Sequence, residues 1–309
     1  MQKTVKVTIM CAAYNQEDYI EDAIESFLMQ KTDFKYEIII HDDASIDKTA
    51  SIIKEYEKKY PEIIRGIYQE ENQFSQGKSI IHDWIYPKAR GEYFALCEGD
   101  DYWIDPFKLQ KQVNGLEEHP EVDMCAHASI VVDSETKNVL RINNPYQEET
   151  IATVEDVIMG GGGFFSTNSL VYRRKLEDTL PKFRDFLKLD YTLQIQGSLS
   201  GGALYLPEVM SAYRWMAKGS WSSVHSSDIS KRYIYREKEN KMFDILNEDT
   251  NYRYESIIMT RKSLSNFNFF YNNHEYRKAF SKRYILAHKY IGKKTMLKLL
   301  LKIIVGRKK

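Results

Sequence analysis

A three-layer α/β fold on a mainly parallel sheet is predicted by three observations. Apolar runs of strand length alternate with helical-period segments through the first hundred residues, the pattern of right-handed crossovers between parallel strands. The strands of that stretch end in polar residues, as they do where a parallel sheet opens onto a ligand crevice. From about residue 226 the periodicity becomes helical throughout, so a helical appendage follows the sheet.

The elements follow in order. "VKVTIMCAA", from Val5, reads as a buried strand running into Tyr14-Asn15. The next helix carries Tyr19, Ala23 and Phe27 on one row and Ile20, Ile24 and Leu28 beside it. A second strand, Tyr36 to about His41, ends in Asp42-Asp43; a helix with Ile52, Tyr56 and Tyr60 four apart stops before Pro61. A third strand, Ile63 to Tyr68, leads to a polar loop with Asn72, Gln76, Gly77 and Lys78, and a helix through Ile81 and Ile85 returns the chain to a fourth strand. Beyond it, a helix with Leu109, Val113 and Leu116 precedes the strand "MCAHASIVV"; residues 133 to 150 read as a loop or hairpin. "GGGGFFSTNSLVYRR" joins a four-glycine loop to an alternating strand, Asp190 opens a helix, and "GGALYLPEVMSAYRW" gives a last strand. The segment after it is basic and aromatic, with Tyr213, Arg214, Lys218 and Trp221. The expected organisation is a domain over 1–225, with halves 1–101 and 102–225, and a helical region over 226–309.

Composition narrows the function. Apolar residues at 43% and charged residues at 28% fit an ordinary globular chain, and zero net charge argues against a general nucleic-acid binder. Cys11, Cys97 and Cys125 lie in apolar runs, as reduced core thiols of a cytoplasmic protein do. Residues 289–309 carry eight Lys or Arg and no acid, with Leu297, Leu300, Leu301 and Ile304 on one stripe, a pattern that suits the inner face of an anionic membrane or packing on the body of the protein.

The chemistry concentrates in "EYFALCEGDDYWIDP". A buried run, Tyr93 to Cys97, breaks into Glu98, Gly99, Asp100 and Asp101; Asp105-Pro106 then reads as a helix cap followed by the first helical position. Two adjacent carboxylates at a strand end repel, and a hard divalent cation with oxygen ligands would offset them; an acidic surface turn is the plainer alternative.

Taken together, "AAYNQEDYI", "DDASIDKT", "GDDYWIDPFKL", "FFSTNSLVYR" with the Asp190 helix, and "LPEVMSAYR" resemble glycosyltransferase family 2 and its GT-A fold over roughly residues 5 to 225. The resemblance implies inverting transfer of a sugar from a nucleotide diphosphate sugar, commonly a UDP-sugar, to a hydroxyl of a glycan or lipid-linked acceptor in cell-surface polysaccharide synthesis. It implies that Ala12 and Tyr14 flank the nucleobase, that Asp43 accepts a hydrogen bond from it, and that Asp100 faces the ribose or donor sugar. It further implies that Asp101 holds Mn²⁺ or Mg²⁺ and that Asp190 is the general base. Lys78 and Arg214 are candidates for the phosphates, with solvated surface as the alternative. Trp103 and Trp221 are candidates for a sugar subsite, with core packing as theirs. Where many relatives have a histidine shortly after the Tyr-Arg pair, this chain has Trp215-Met216, which leaves the diphosphate contact on that side open, with Lys218 one candidate. A nucleotidyltransferase would show a glycine-rich basic loop after the first strand, and a dehydrogenase a G-x-G-x-x-G; "CAAYNQED" is neither. A catalytically silent nucleotide-sugar-binding module stays open.

Overall fold

The computed structural model describes residues 4–220 and 229–306. The chain divides into two compact units, Met1–Ile229 and Ser230–Lys309.

The first unit is built on one sheet whose ten strands are β1 (Val5–Ala13), β2 (Lys35–Asp42), β3 (Ile64–Tyr68), β4 (Tyr93–Leu96), β5 (Tyr102–Trp103), β6 (Met124–Asp133), β7 (Val139–Asn143), β8 (Thr150–Ala152), β9 (Val171–Arg173) and β10 (Ala203–Trp215). Their order is β3-β2-β1-β4-β9-β6-β10-β5, with β7 on β6 and β8 on β10. The alternating half, β3-β2-β1-β4, is parallel throughout. The other half is mixed, because β9 runs antiparallel to both β4 and β6 while β10 is parallel to β6. The sheet is therefore less parallel than the alternation alone predicts. Of the later strands, β6 and β7 are joined as a hairpin; β9 enters antiparallel between β4 and β6 after a long connection that carries β7, β8 and α4.

Helices α1 (Ile20–Leu28), α2 (Thr49–Lys59) and α3 (Lys108–Glu118) flank this sheet, and α4 (Val154–Gly160), α5 (Lys175–Asp178), α6 (Lys182–Phe186) and α7 (Asp190–Ser198) follow. On α1 the row Ile20, Ala23, Ile24 and Phe27 is fully buried, and Phe27 meets Trp103 edge-on with ring centroids 4.9 Å apart. Each large side chain so buried stabilises the fold by about 1.5–3 kcal/mol. The fully buried run of β1, Val7 to Cys11, is what covered strands of a parallel sheet require. All three cysteines are free and buried.

Two local expectations are corrected. The segment through Ile81 and Ile85 is a π-helical turn over Ile80–Ile85 followed by a 3-10 turn, Tyr86–Lys88, rather than an α-helix; Pro87 at that junction lacks the N–H an α-helix would use. Helix α3 starts at Lys108, later than Asp105-Pro106 suggests. Asp105 holds the turn before it by accepting from the Phe107 N–H at 2.7 Å, and it pairs with Lys111 at 2.8 Å. Residues 133 to 143 form a hairpin in which β7 pairs antiparallel with β6.

The second unit is helical: α8 (Ile229–Asp249), α9 (Glu255–Asn272), α10 (Tyr276–Ala279), α11 (Ile285–Ile291) and α12 (Lys293–Gly306). Phe267, Phe270, Ala279, Tyr284 and Ala287 form a small core there, with Met296 and Leu299 of α12 packed on it. On the same helix Leu297, Leu300 and Leu301 are exposed. Among the described residues no helix is long and apolar enough to cross a membrane.

Candidate active site

The carboxyl ends of β1, β2 and β4 meet at one edge of the sheet. Backbone bonds lock them: the Asp43 N–H donates to the Ala13 carbonyl at 2.9 Å, and the Gly99 N–H donates to the Ala12 carbonyl at 3.0 Å. A Cβ at Gly99 would lie 2.4 Å from Gln16 Oε1 and 2.8 Å from Ile20 Cδ1, so a larger residue there would have to displace those side chains. Side chains stitch the first two loops together. The Asn15 N–H donates to Ser45 Oγ and the Ile46 N–H to Asn15 Oδ1, both at 2.9 Å. Asn15 and Ala44 take positive φ to make those turns, a strained choice for non-glycine residues that recurs where structure is tied to function.

On the β2 side, Asp43 is buried and already engaged. Its two oxygens accept the N–H groups of Gln73 at 2.8 Å and Phe74 at 3.0 Å, so it anchors the loop that carries Lys78. Asp42 accepts from the Ser45 N–H at 3.2 Å, and burial pushes its carboxyl above the usual range. His41 beside them is fully buried, which lowers it to about 4. Tyr14 stands exposed and Ala12 half-buried at the end of β1; Lys78 is exposed.

The turn after β4 differs. Glu98, Asp100 and Asp101 each bring one carboxylate oxygen within 4.8 Å of the others. Asp101 is fully buried; its Oδ1 accepts the Arg214 N–H at 2.8 Å and its Oδ2 accepts Asn168 Nδ2 at 3.0 Å. Burial, reinforced by Asp100 and Glu98, pushes Asp101 well above the carboxylate range against the pull of Arg214. Asp100 is raised to about 6 by burial. Glu98 keeps exposed surface, yet its carboxyl lies deep in its surroundings, and that enclosure together with Asp100 and Asp190 raises it to about 8. The chemistry of this donor set, three crowded oxygens and no nitrogen or sulfur, fits a hard divalent cation.

Asp190 is the first residue of α7. Thr167 Oγ1 donates to its Oδ2 at 2.6 Å and the Tyr191 N–H to its Oδ1 at 2.7 Å; burial raises its pKa. Thr167 is followed by Asn168, which bonds Asp101, so Asp190 lies on the same side of the fold as the acid turn.

Two open assignments close. Arg214 is only 1% exposed: it lies over the rings of Tyr102 and Tyr19, donates to the Asp100 carbonyl at 2.7 Å and pairs with Asp22, so it is neither solvated nor turned outward toward a phosphate. Trp103 is core rather than a sugar platform, since it is 2% exposed and its indole N–H donates to the Asn168 carbonyl at 2.9 Å. Trp221 lies outside the described residues, and Lys218 is exposed. Sequence reasoning missed Glu98, Thr167 and Asn168 as site residues. The signal for the last two was the polar stretch Ser166 to Ser169 set between the apolar Phe164-Phe165 and Leu170-Val171.

The comparisons with known proteins agree with this architecture. An uncharacterized protein of Mycobacterium tuberculosis is 38% identical over 221 residues, 71% of this chain and 62% of that one. The putative teichuronic acid biosynthesis glycosyltransferase TuaG of Bacillus subtilis is 38% identical over 112 residues, 36% of this chain and 42% of its own. The chain thus spans about 62% of the length of the mycobacterial relatives it matches. Among solved structures, TarS 1-349 of S. aureus aligns with TM-score 0.62 at 18% identity, covering 87% of this chain and 74% of that one. Its complex with UDP-GlcNAc aligns at 0.59, with 16% identity over 93% and 91%. A mannosyltransferase of Pyrobaculum calidifontis with GDP-Man and Mn²⁺ aligns at 0.51, with 15% identity over 98% and 87%. These likenesses give the GT-A fold. The profile described as "Glycosyl transferase family 2" matches residues 8–180, more than half of the chain, and with it the chain belongs to glycosyltransferase family 2.

Proposed function

We propose that the chain transfers a sugar from a nucleotide diphosphate sugar, a UDP-sugar foremost, to an acceptor hydroxyl with inversion, using Mn²⁺ or Mg²⁺. The observation that carries this is the crowding of Glu98, Asp100 and Asp101 within 4.8 Å, with Asp190 linked to Asp101 through the adjacent Thr167 and Asn168. Support comes from TarS, solved with UDP-GlcNAc, and from the mannosyltransferase, solved with GDP-Man and Mn²⁺. TuaG's naming in teichuronic acid synthesis favours a cell-surface polysaccharide as the setting.

Asp101, with Glu98 and Asp100 beside it, would hold the cation, which supplies Lewis-acid neutralisation of the departing diphosphate. Asp43 retains lone pairs after its two backbone bonds and can still accept from a base, with Ala12 and Tyr14 as its walls. Lys78, exposed on the loop that Asp43 anchors, is the candidate for the phosphates. Asp190 would take the acceptor proton. Its two hydrogen bonds fix the carboxylate's direction, and burial, by raising its pKa, makes it a stronger base. Direct displacement with one base gives inversion; retention through a covalent intermediate would need a carboxylate nucleophile.

Helix α12 would rest on the anionic inner face of a membrane through exposed Leu297, Leu300 and Leu301 and the basic residues beside them, each worth about 1 kcal/mol near such a surface. Liposome flotation of the whole chain, against one cut before Lys293, tests that; equal or salt-insensitive binding counts against it. The enzymatic reading is tested by following UDP release from a panel of UDP-sugars with Mn²⁺ and with a chelator. Donor binding without any turnover, across acceptors, would instead make the chain a silent nucleotide-sugar-binding module.

A further inference from the structure

The 3-10 turn Thr167–Ser169 lies between the glycine loop and β9, and two consecutive side chains on it hold two different acids. Thr167 Oγ1 donates to Asp190 Oδ2 at 2.6 Å. Asn168 Nδ2 donates to Asp101 Oδ2 at 3.0 Å. We infer that the Thr167-Asn168 pair is the positioning element that sets the general base and the cation-side carboxylate relative to each other; the inference rests on the roles proposed above for Asp190 and Asp101.

The Asn168 amide has one allowed orientation. Its Nδ2 also faces the Ala212 carbonyl at 3.0 Å, which can only accept, and its Oδ1 takes the Ser211 hydroxyl at 2.7 Å. The second Nδ2 hydrogen is thereby aimed at Asp101. The residue's own carbonyl is held by the Trp103 indole at 2.9 Å, and Ser169's carbonyl by Gln112 Nε2 at 2.8 Å. Gln112 in turn accepts from Lys108 Nζ at 2.8 Å, a lysine buried completely, with its ammonium 4.1 Å from the Trp103 ring centroid. The turn is therefore fixed from below by a buried polar network, and its upper side presents one donor to each acid. Both hydrogens of the buried Asn168 amide need acceptors, and the second is supplied by the Asp101 carboxylate rather than by another backbone carbonyl. A threonine with only a turn role does not need the bond to Asp190.

The two residues act on different acids, so their variants should separate. Asn168→Ala should weaken Mn²⁺ binding, read by calorimetry or by the free-Mn²⁺ EPR signal, by about 10–100-fold, the usual effect of removing an outer partner of a metal ligand. Thr167→Val keeps the shape and removes the hydroxyl. It should leave Mn²⁺ and UDP affinity at the parent value while kcat falls by about tenfold or more. Ser211→Ala leaves the Ala212 carbonyl to hold the amide's orientation and does not touch Asp101, so as the control it should stay close to the parent in Mn²⁺ affinity. If Asn168→Ala does not fold, Asn168→Ser carries the same test, because its shorter side chain cannot span both Asp101 and Ala212. Parent-like Mn²⁺ affinity in the Asn168 variants, or parent-like kcat in Thr167→Val, overturns the positioning role whatever the melting temperatures do. A parent that binds no Mn²⁺ overturns the cation reading itself, and an active Asp190→Asn overturns the base reading; both failures show before any turn variant is made.

Discussion

Two Asp-Asp pairs stand at the carboxyl ends of β2 and β4, the parallel strands on either side of β1, and they are held by different neighbours. At Asp42-Asp43 the negative charge is spread over backbone donors: Asp43 takes the amides of Gln73 and Phe74, and Asp42 takes that of Ser45. At Asp100-Asp101 a third carboxyl, Glu98, crowds in, and all three are pushed upward by burial, with mutual repulsion adding to it at Glu98 and Asp101. The first pair anchors a loop through Asp43, while burial raises Asp42, whose Oδ1 has no hydrogen-bond partner among the described residues. The second sets three carboxyls against the Arg214 guanidinium, and a divalent cation would supply further positive charge. The same dipeptide therefore does different work according to whether its neighbours are peptide N–H groups or other acids.

The largest effect should come from the acid linked to the second pair through Thr167 and Asn168. Asp190→Asn keeps the size; the amide oxygen can keep the Tyr191 N–H, and the Thr167 hydroxyl can turn to accept from the new NH2. Losing a general base typically costs 10²–10⁴-fold, so kcat should drop by that factor while UDP affinity and melting temperature stay near the parent. Turnover that survives makes Asp190 a helix-terminal residue and moves the base elsewhere. Collapse of stability would make the lost activity uninformative about mechanism.

Next in size is Asp101→Asn. Removing a direct ligand should cost more than the 10–100-fold typical of an outer partner. UDP affinity in Mn²⁺ should fall to the value the parent shows in chelator. Equal UDP affinity in all four conditions would reduce the acid turn to a structural feature and erase the contrast between the pairs.

How much of this contrast could be read in the sequence has a physical answer. The strand ends were legible because a buried parallel strand reads as a continuous apolar run, and Val7 to Cys11, Ile38 to Ile40 and Tyr93 to Cys97 are all buried. The state of each Asp pair was not, because it depends on contacts from distant segments: Gln73 and Phe74 for one, Asn168 and Arg214 for the other. Arg214 shows the same limit. A basic residue after a strand suggests surface or phosphate, and only the folded chain lays it over Tyr19 and Tyr102 and pairs it with Asp22. The antiparallel insertion of β9 was equally hidden, since three residues carry too short a pattern to give direction.

The pairs should also separate by pH. His41, beside the first pair, is lowered to about 4 from 6.5. Its contribution is fully present above pH 6.5 and is lost as pH falls toward 4, on the order of 2–3 kcal/mol for a side chain this buried. Glu98 and Asp100 are raised to about 8 and about 6, so without a cation their contribution is present at low pH and is lost as pH rises through those values. A cation binds the ionised forms. The gap in melting temperature between Mn²⁺ and chelator should therefore widen from pH 5 to pH 8, and His41→Gln should flatten the acid side of both curves. A gap that stays constant or narrows with rising pH would mean that the acid turn does not take the cation.

The smallest effect, and the one that divides the pairs most cleanly, is Asp43→Asn. One of its oxygens becomes an amide nitrogen, so either the Gln73 or the Phe74 N–H loses its acceptor. A single net hydrogen bond is worth about 1 kcal/mol, and the melting temperature should fall by a few degrees accordingly. Mn²⁺ affinity should not move, because Asp43 is absent from the cluster of oxygens at the acid turn. UDP affinity should fall in Mn²⁺ and in chelator by the same factor, as the base contact and the loop that Asp43 anchors are both independent of the cation. Comparison with Asp101→Asn is then a two-by-two test. Asp101→Asn makes UDP binding insensitive to chelator, whereas Asp43→Asn leaves that sensitivity intact and lowers both values together. If Asp43→Asn also abolished the response to chelator, the two pairs would be parts of one electrostatic unit, and the distinction between anchor and cation site would fail.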